Sequence, residues 1–229
     1  MNCVVLFDID GTLLSRSGDT ASPGIRAMNE AAREATGVTG LADRVDFAGA
    51  TDLRVAARLL VLGGVREPSR VQVDALLKAY VGHLRRFIGD DSYVALGDPH
   101  RVIPQMASMG AVIGLATGNV RIGAQIKLAS AGIDHLFCMD MGGFGDDAED
   151  RPDIVRIAAR RWDEGGHRPV AVIGDTVHDI RGAHAAGAIC IGVPGGRYTA
   201  AMLKEAGADE VVDTIGDGLG DRWTSEMHD

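Results

Sequence analysis

Two aspartates one residue apart, Asp8 and Asp10, end a short apolar run near the start of the chain. A run of this length that stops at Gly11 is typical of a buried strand. Side chains two apart on a strand point to the same side, so both carboxylates leave its carboxyl end together. Their repulsion reaches about 4 kcal/mol at an effective dielectric of about 20. Such a cost indicates a metal ion, a cation or catalysis.

Three later segments could place polar groups at the same edge. Their shared feature is a position just after an apolar run or at the start of a helix. They are Thr117-Gly118-Asn119, Arg151 before Pro152, and the pair Asp175 and Asp179. Ligands bind outside the carboxyl ends of strands in open parallel sheets, so we expect these segments to meet Asp8 and Asp10 in one site.

Strands alternating with helices predict an α/β fold, a three-layer Rossmann-like core with a parallel sheet. Helical periodicity over residues 15–90 interrupts this alternation and predicts an inserted all-helical domain. We place the core at residues 1–15 and 92–229 and the insert at residues 16–91, with hinges near 15–20 and 88–98.

Some local patterns are weaker. We expect a loop over residues 13–22, a short strand over residues 136–139 and a loose tail from residue 213. Residues 47–52 form a Gly-containing irregular segment between helices of the insert. We expect this segment to reach the site and set specificity.

The 229 residues carry a net charge of −9, which disfavours nucleic acid and anionic membranes as partners. Three cysteines without CxxC spacing favour buried thiols in a reducing compartment over a catalytic cysteine. No apolar run has the length of a membrane span, and the amino terminus lacks the pattern of a signal peptide. We expect a cytoplasmic protein, a monomer or homodimer, that acts on a small phosphorylated metabolite.

With these segments in order, the sequence resembles the haloacid dehalogenase-like hydrolase superfamily, in its phosphatase branch. The nearest subgroup is similar to phosphoglycolate phosphatases. Four ordered motifs carry the resemblance: Asp8-Ile9-Asp10-Gly11-Thr12-Leu13, Thr117-Gly118-Asn119, Arg151-Pro152 and Gly174-Asp175-Thr176-Val177-His178-Asp179. The resemblance implies that the insert is a helical cap and that Mg²⁺ is the cofactor.

The resemblance also implies a role for each motif residue. Asp8 would be the nucleophile that forms an aspartyl-phosphate, and Asp10 the general acid and base. Substrate and phosphate binding would fall to Gly11, Thr117, Gly118, Asn119 and Arg151. Metal binding would involve Asp8, the backbone carbonyl of Asp10, Asp175 and, as a supporting anchor, Asp179.

One position departs from the family pattern, because Arg151 stands where the family most often has Lys. Arginine can still grip phosphate through two nitrogens, so we keep Arg151 in this role and treat Lys127 as the weaker candidate. Separately, Asp175 alone could cap the next helix, and Thr117-Gly118-Asn119 could be an ordinary turn. A sugar phosphomutase of the β-phosphoglucomutase type and a non-catalytic binding protein remain alternative functions.

Overall fold

A computed structural model describes residues 3–16, 22–88, 93–163 and 165–219. Its main sheet has five parallel strands in the order β4-β1-β5-β6-β7. The strands are β1 (Val4–Phe7), β2 (Leu14–Arg16), β3 (Tyr93–Ala95), β4 (Val112–Leu115), β5 (Val170–Gly174), β6 (Ile189–Gly192) and β7 (Glu210–Val211). The helices are α1 (Pro23–Thr36), α2 (Asp52–Leu62), α3 (Arg70–Phe87), α4 (Pro99–Ser108), α5 (Arg121–Ser130), α6 (Arg151–Trp162), α7 (Val177–Ala185) and α8 (Ala200–Glu205).

β1 lies at the centre of the site-bearing part of the sheet. All four of its residues are buried, and Val4 pairs with Val112 on one side and Val170 on the other. A strand buried on both faces needs a continuous apolar sequence, which residues 4–7 supply. The turn after β1 therefore begins between the ends of β4 and β5.

Helices cover both faces of the sheet, as the predicted α/β fold requires. Val5 and Phe7 pack in one cluster with residues of α4 and α5. Val4 and Leu6 point to the opposite face and pack with residues of α6, α7 and α8. This alternation follows from the period of two along a strand.

α1, α2 and α3 surround a second apolar core of their own. Their sequences contain standard start and stop signals: Pro23 opens α1, Gly37 ends it with φ of 77°, and Ser69 forms a capping box with Gln72 at α3. Helices thus occupy the predicted cap region. The domain limits stay a prediction, because the adjoining residues 17–21 and 89–92 lie outside the described residues.

Two local expectations were wrong near the site. Residues 14–16 were expected in a loop, but β2 pairs antiparallel with β3 and forms a short two-stranded ribbon. Residues 136–139 were expected to form a strand, but they lie at two short 3₁₀ turns, Asp134–Leu136 and Met139–Met141. Segments of three or four residues carry too little periodicity to settle their structure locally.

The tail and one cysteine also differ from expectation. Ile215 and Leu219 are buried in the core cluster beside α4, so the tail is packed at least as far as residue 219. Residues 220–229 lie outside the described residues. Cys3 and Cys190 are buried as expected, whereas Cys138 is exposed beside a turn. Within the described ranges, no helix is long and apolar enough to span a membrane.

Candidate active site

The predicted site residues lie where three neighbouring strands end. Asp8 directly follows β1, Thr117 comes two residues after β4, and Asp175 directly follows β5. The Asp8 backbone N–H donates to Ile173 O at 2.9 Å, which ties the end of β1 to β5. The parallel register therefore brings segments more than 100 positions apart to one edge.

Asp8, Asp175 and Asp179 form a buried carboxylate cluster. One oxygen from each lies within 4.8 Å of the others. Burial raises the pKa of Asp175 to about 8, and repulsion from Asp8 and Asp179 adds to this shift. Burial likewise raises the pKa of Asp8 to about 6, although the nearby Arg151 opposes the change. This cluster holds more negative charge than its neighbours neutralise, so it suits a cation.

Gly11 lets the turn after β1 lie directly against Asp175. Its φ is +87°, and a Cβ at this position would be 2.2 Å from Asp175 Oδ2. A larger residue would both strain the backbone and push the carboxylate away. The neighbouring Thr12 hydroxyl donates to Asp175 Oδ1 at 3.4 Å. The structure thus places Gly11 as a support for Asp175.

Arg151 is buried in the site, and its guanidinium pairs with two carboxylates. Its Nη2 is 3.0 Å from Asp8 Oδ1, and its Nε donates to Asp179 Oδ1 at 3.0 Å. Burial disfavours the guanidinium charge, but Asp179 and Asp8 outweigh this and raise the pKa of Arg151. The side chain passes Gly182 of α7, where a Cβ would be 2.5 Å from Arg151 Cγ. Arg151 therefore reaches the nucleophile candidate through a gap that glycine provides.

Asp179 connects Arg151 to the start of α7. Its Oδ2 accepts from the backbone N–H of Thr176 at 3.0 Å and from the Thr176 hydroxyl at 2.7 Å. Thr176, not Asp175, is the N-cap of α7, so Asp175 is left free of that role. Because both Asp179 oxygens already have donors, Asp179 fixes Arg151 and the start of α7.

Asp10 points to a different set of partners. Its Oδ2 accepts from Lys127 Nζ and from Asn119 Nδ2, each at 2.7 Å, while 45% of its side chain stays accessible. Lys127 also donates to Asn119 Oδ1 at 2.6 Å. Partial desolvation of the carboxylate would raise the pKa of Asp10, but Lys127 and Asn119 outweigh this effect and lower that pKa. Asp10 is therefore anionic at neutral pH in the protein without substrate.

Lys127, which the sequence analysis treats as the weaker candidate for the cation, lies in the site as the partner of Asp10. It is buried on α5, and its pKa rises because Asp10 and other nearby groups outweigh the effect of burial. A lysine between the apolar Ile126 and Leu128 was the available signal, because a buried lysine needs a paired anion. The sequence did not show which anion that would be.

Thr117 and Asn119 form a compact buried turn beside Asp10. Thr117 Oγ1 accepts from the Asn119 backbone N–H at 3.3 Å and from Asn119 Nδ2 at 2.9 Å. With its lone pairs engaged, this hydroxyl can aim its proton at a ligand. Among the described residues, the Gly118 N–H donates to no other group, whereas the Asn119 N–H already donates to Thr117.

The predicted specificity segment meets this turn. The Asp52 N–H donates to Gly118 O at 2.8 Å, and the Thr51 hydroxyl donates to Glu149 O at 3.1 Å. A cavity of about 560 Å³ lies alongside, between residues 46–54 and the starts of α6 and α7. Its role in specificity stays a prediction.

The chain is similar to known proteins in sequence and in fold. The chain is 27% identical over 227 residues to the probable phosphatase IndB of Dickeya dadantii (strain 3937), covering 96% of this chain and 93% of that protein. Its fold is similar to CbbY from Rhodobacter sphaeroides, solved with phosphate (TM-score 0.70, 23% identity, 95% and 96% covered). It is also similar to β-phosphoglucomutase from Clostridium difficile (TM-score 0.66, 19% identity, 94% and 92% covered).

A family model provides the assignment itself. It matches residues 4–187, which contain all four motifs and every site residue described above. The match includes β1, β4 and β5 with the turns that follow them, as well as the inserted helices. The chain belongs to the haloacid dehalogenase-like hydrolases.

Proposed function

We propose that the protein is a Mg²⁺-dependent phosphatase that hydrolyses a small phosphomonoester through an aspartyl-phosphate on Asp8. The observation that carries this proposal is the separation of two adjacent carboxylates into different environments. Asp8 lies in the carboxylate cluster with Arg151, while Asp10 is held by Lys127 and Asn119. Such a division suits one carboxylate for attack and the other for proton transfer.

In the first step, an Asp8 oxygen attacks phosphorus and the bond to the leaving alcohol oxygen breaks. The contact between Arg151 and Asp8 Oδ1 fixes the orientation of this carboxylate. In this proposal Arg151 orients the nucleophile in addition to binding phosphate, the role expected from the sequence.

Asp10 transfers protons to and from the reacting oxygens. A phosphate dianion next to Asp10 favours its protonated form, so a bound substrate counteracts the effect of Lys127 and lets Asp10 protonate the leaving oxygen. After the alcohol departs, the Asp10 carboxylate takes a proton from water as the water attacks the aspartyl-phosphate. Phosphate then leaves, and Asp8 is free again.

The donor set fits Mg²⁺, which prefers oxygen ligands and uses few carboxylates. Asp8 and Asp175 would hold the ion. Burial raises the pKa of Asp175 and repulsion from Asp8 and Asp179 adds to the shift, and a cation would offset this repulsion. Asp179 is the weaker ligand candidate because Arg151 and Thr176 occupy its oxygens. When bound, the ion would neutralise charge on the phosphate and Asp8.

The Thr117 hydroxyl and the Gly118 amide are the best candidates to bind the transferring phosphoryl oxygens. Both lie in the turn that also carries Asn119. A phosphoglycolate-like substrate remains the favoured class because the sequence resembles that subgroup. The similarity to a probable phosphatase supports hydrolysis over mutase chemistry. We also propose a cytoplasmic location, from the cysteine usage, and a monomer or homodimer.

A phosphomonoester panel with and without Mg²⁺ tests this proposal. Wild type and Asp153→Asn, an exposed control on α6, should both release phosphate, whereas Asp8→Asn should not. Isomerised sugar phosphate without net release of phosphate would instead identify a mutase. Equal behaviour of wild type and Asp8→Asn across the panel would leave the non-catalytic binding protein as the better assignment.

A further inference from the structure

Asp52 is a buried carboxylate that the proposed reaction does not use. It is the first residue of α2 in the cap region and is only 9% exposed. Burial raises the pKa of Asp52 to about 6, with Lys127 and a backbone N–H opposing the change. A buried carboxylate is costly unless it makes specific interactions, so its partners indicate what it does.

Those partners are both on the core, on either side of Asn119. The Asp52 backbone N–H donates to Gly118 O, and Asp52 Oδ2 accepts from the Val120 N–H, each at 2.8 Å. One cap residue thus makes two hydrogen bonds across the turn that contains the phosphate-binding candidates. A Cβ on Gly118 would lie 2.3 Å from Ala50 O, so the approach of the two backbones depends on glycine.

The second bond also completes a helix of the core. Val120 is the N-cap of α5, and its side chain has no oxygen with which to cap the helix. Two aspartates hold this helix start instead: Asp52 accepts from the Val120 N–H, and Asp146 accepts from the Arg121 N–H at 3.0 Å. A carboxylate at a helix N-terminus is favourable for both hydrogen bonding and the helix dipole.

We propose that Asp52 is a positioning residue that couples closure of the cap to the order of the phosphate-binding turn and of α5. α5 carries Lys127, so this coupling extends to the cation that holds Asp10. When the cap lifts, both hydrogen bonds break, and Gly118 O and the Val120 N–H become available to water. The site is then fully assembled only under a closed cap. This inference rests on the proposed function, because the step that cap closure would assist is phosphoryl transfer to Asp8.

A simpler role for Asp52 makes a different prediction. An acidic residue in the first turn stabilises α2 by charge alone, next to its N-cap Thr51. Asp52→Asn separates the two roles because it removes the charge but keeps an oxygen that can accept from Val120. Asp52→Ala removes both. Asp146→Ala is the matched control, since it weakens the start of α5 from the core side without touching the cap.

Hydrogen–deuterium exchange of the resting protein tests the coupling without any substrate. Asp52→Ala should increase exchange at residue 52 and at residues 118–120, while the buried β1 stays protected as in wild type. Asp52→Asn should resemble wild type. Asp146→Ala should increase exchange near Arg121 but leave residue 52 protected. Unchanged exchange at residues 52 and 118–120 in Asp52→Ala would overturn the proposal.

Kinetics provide a second readout. Asp52→Ala should lower kcat/KM about tenfold or more, the scale of one lost hydrogen bond to a charged group, whereas Asp52→Asn should stay within about threefold. If kcat/KM of Asp52→Asn falls as far as that of Asp52→Ala, charge at α2 is responsible and the coupling is wrong.

If Asp52→Ala does not fold, Asp52→Glu replaces it, because it keeps the charge and displaces the acceptor. The coupling then predicts the same loss, and wild-type activity would overturn it. Failure of the phosphomonoester panel would reject the proposed function, while exchange would still decide on Asp52.

Discussion

Replacing Lys127 with methionine tests the most consequential contact in the site. Methionine preserves much of the side-chain volume but removes the ammonium group that donates to Asp10 and Asn119. Removing one partner of a fully buried ion pair costs about 3 to 5 kcal/mol, and because Asp10 is 45% accessible we use the lower limit of this range. If 3 kcal/mol of this is lost from the transition state, kcat/KM falls about 150-fold. Lys78→Met, at an exposed position on α3, is the control and should match wild type.

The same variant should have a characteristic pH dependence of stability. In wild type, Lys127 and Asn119 lower the pKa of Asp10 despite its partial desolvation, so the ion pair stabilises the fold above the ordinary titration range of aspartate. This stabilisation is lost as pH falls and Asp10 takes up a proton. The stability deficit of Lys127→Met should therefore be largest at neutral pH and shrink toward acid.

Urea unfolding at several pH values and steady-state kinetics on the best substrate measure the two effects. A pH-independent deficit would contradict the assignment of Asp10 as the partner anion. A kcat/KM within about threefold of wild type would refute the argument that Lys127 holds Asp10 for proton transfer. Lys127→Arg is a further comparison: because Lys127 is buried and its Nζ already contacts Asp10 and Asn119, we expect the longer arginine to lower activity as well.

Three other results follow from the site. Asp175 has a pKa of about 8 in the folded protein against an ordinary 3.8, so the stability of the metal-free protein should fall as pH rises between these values. In urea unfolding with EDTA at pH 8, Asp175→Asn should therefore be more stable than wild type by at least about 2 kcal/mol. Arg151→Lys should keep measurable activity because it retains a cation beside Asp8, whereas Arg151→Ala should lose at least about 100-fold in kcat. Full activity in Arg151→Ala would show that Arg151 does not belong to the site. Gly182→Ala should also lower kcat by displacing Arg151, whereas Gly82→Ala, which meets no atom within 4 Å, should not; equal kcat values would contradict this.

Much of the site was predictable because its residues lie in short, ordered motifs beside strand ends. Asp8, Thr117 and Asp175 each follow an apolar run, and the rule for parallel sheets then brings them together. The partners within the site were harder to predict. Arg151 was expected to bind phosphate, but its contacts with Asp8 and Asp179 depend on how closely α6 packs on α7 at Gly182.

The elements show the same division between local and distant information. α1 and α2 begin or end at local helix signals: Pro23 opens α1, Gly37 ends it, and Thr51 is the N-cap of α2. α7 likewise begins at a local signal, a capping box of Thr176 and Asp179. By contrast, β2 pairs with residues 93–95, a distant contact that no local pattern indicates.

The position of β1 also constrains the order in which the chain can fold. β1 is synthesised first, yet its neighbours in the sheet, β4 and β5, begin at Val112 and Val170. α1 to α3 depend mostly on contacts close in sequence and can form much sooner. During synthesis, the strand that bears Asp8 can therefore pair with β4 only after residue 115 is available, and with β5 only after residue 174. A chain that ends before β5 would leave one edge of β1 unpaired, and unpaired apolar strand edges favour aggregation.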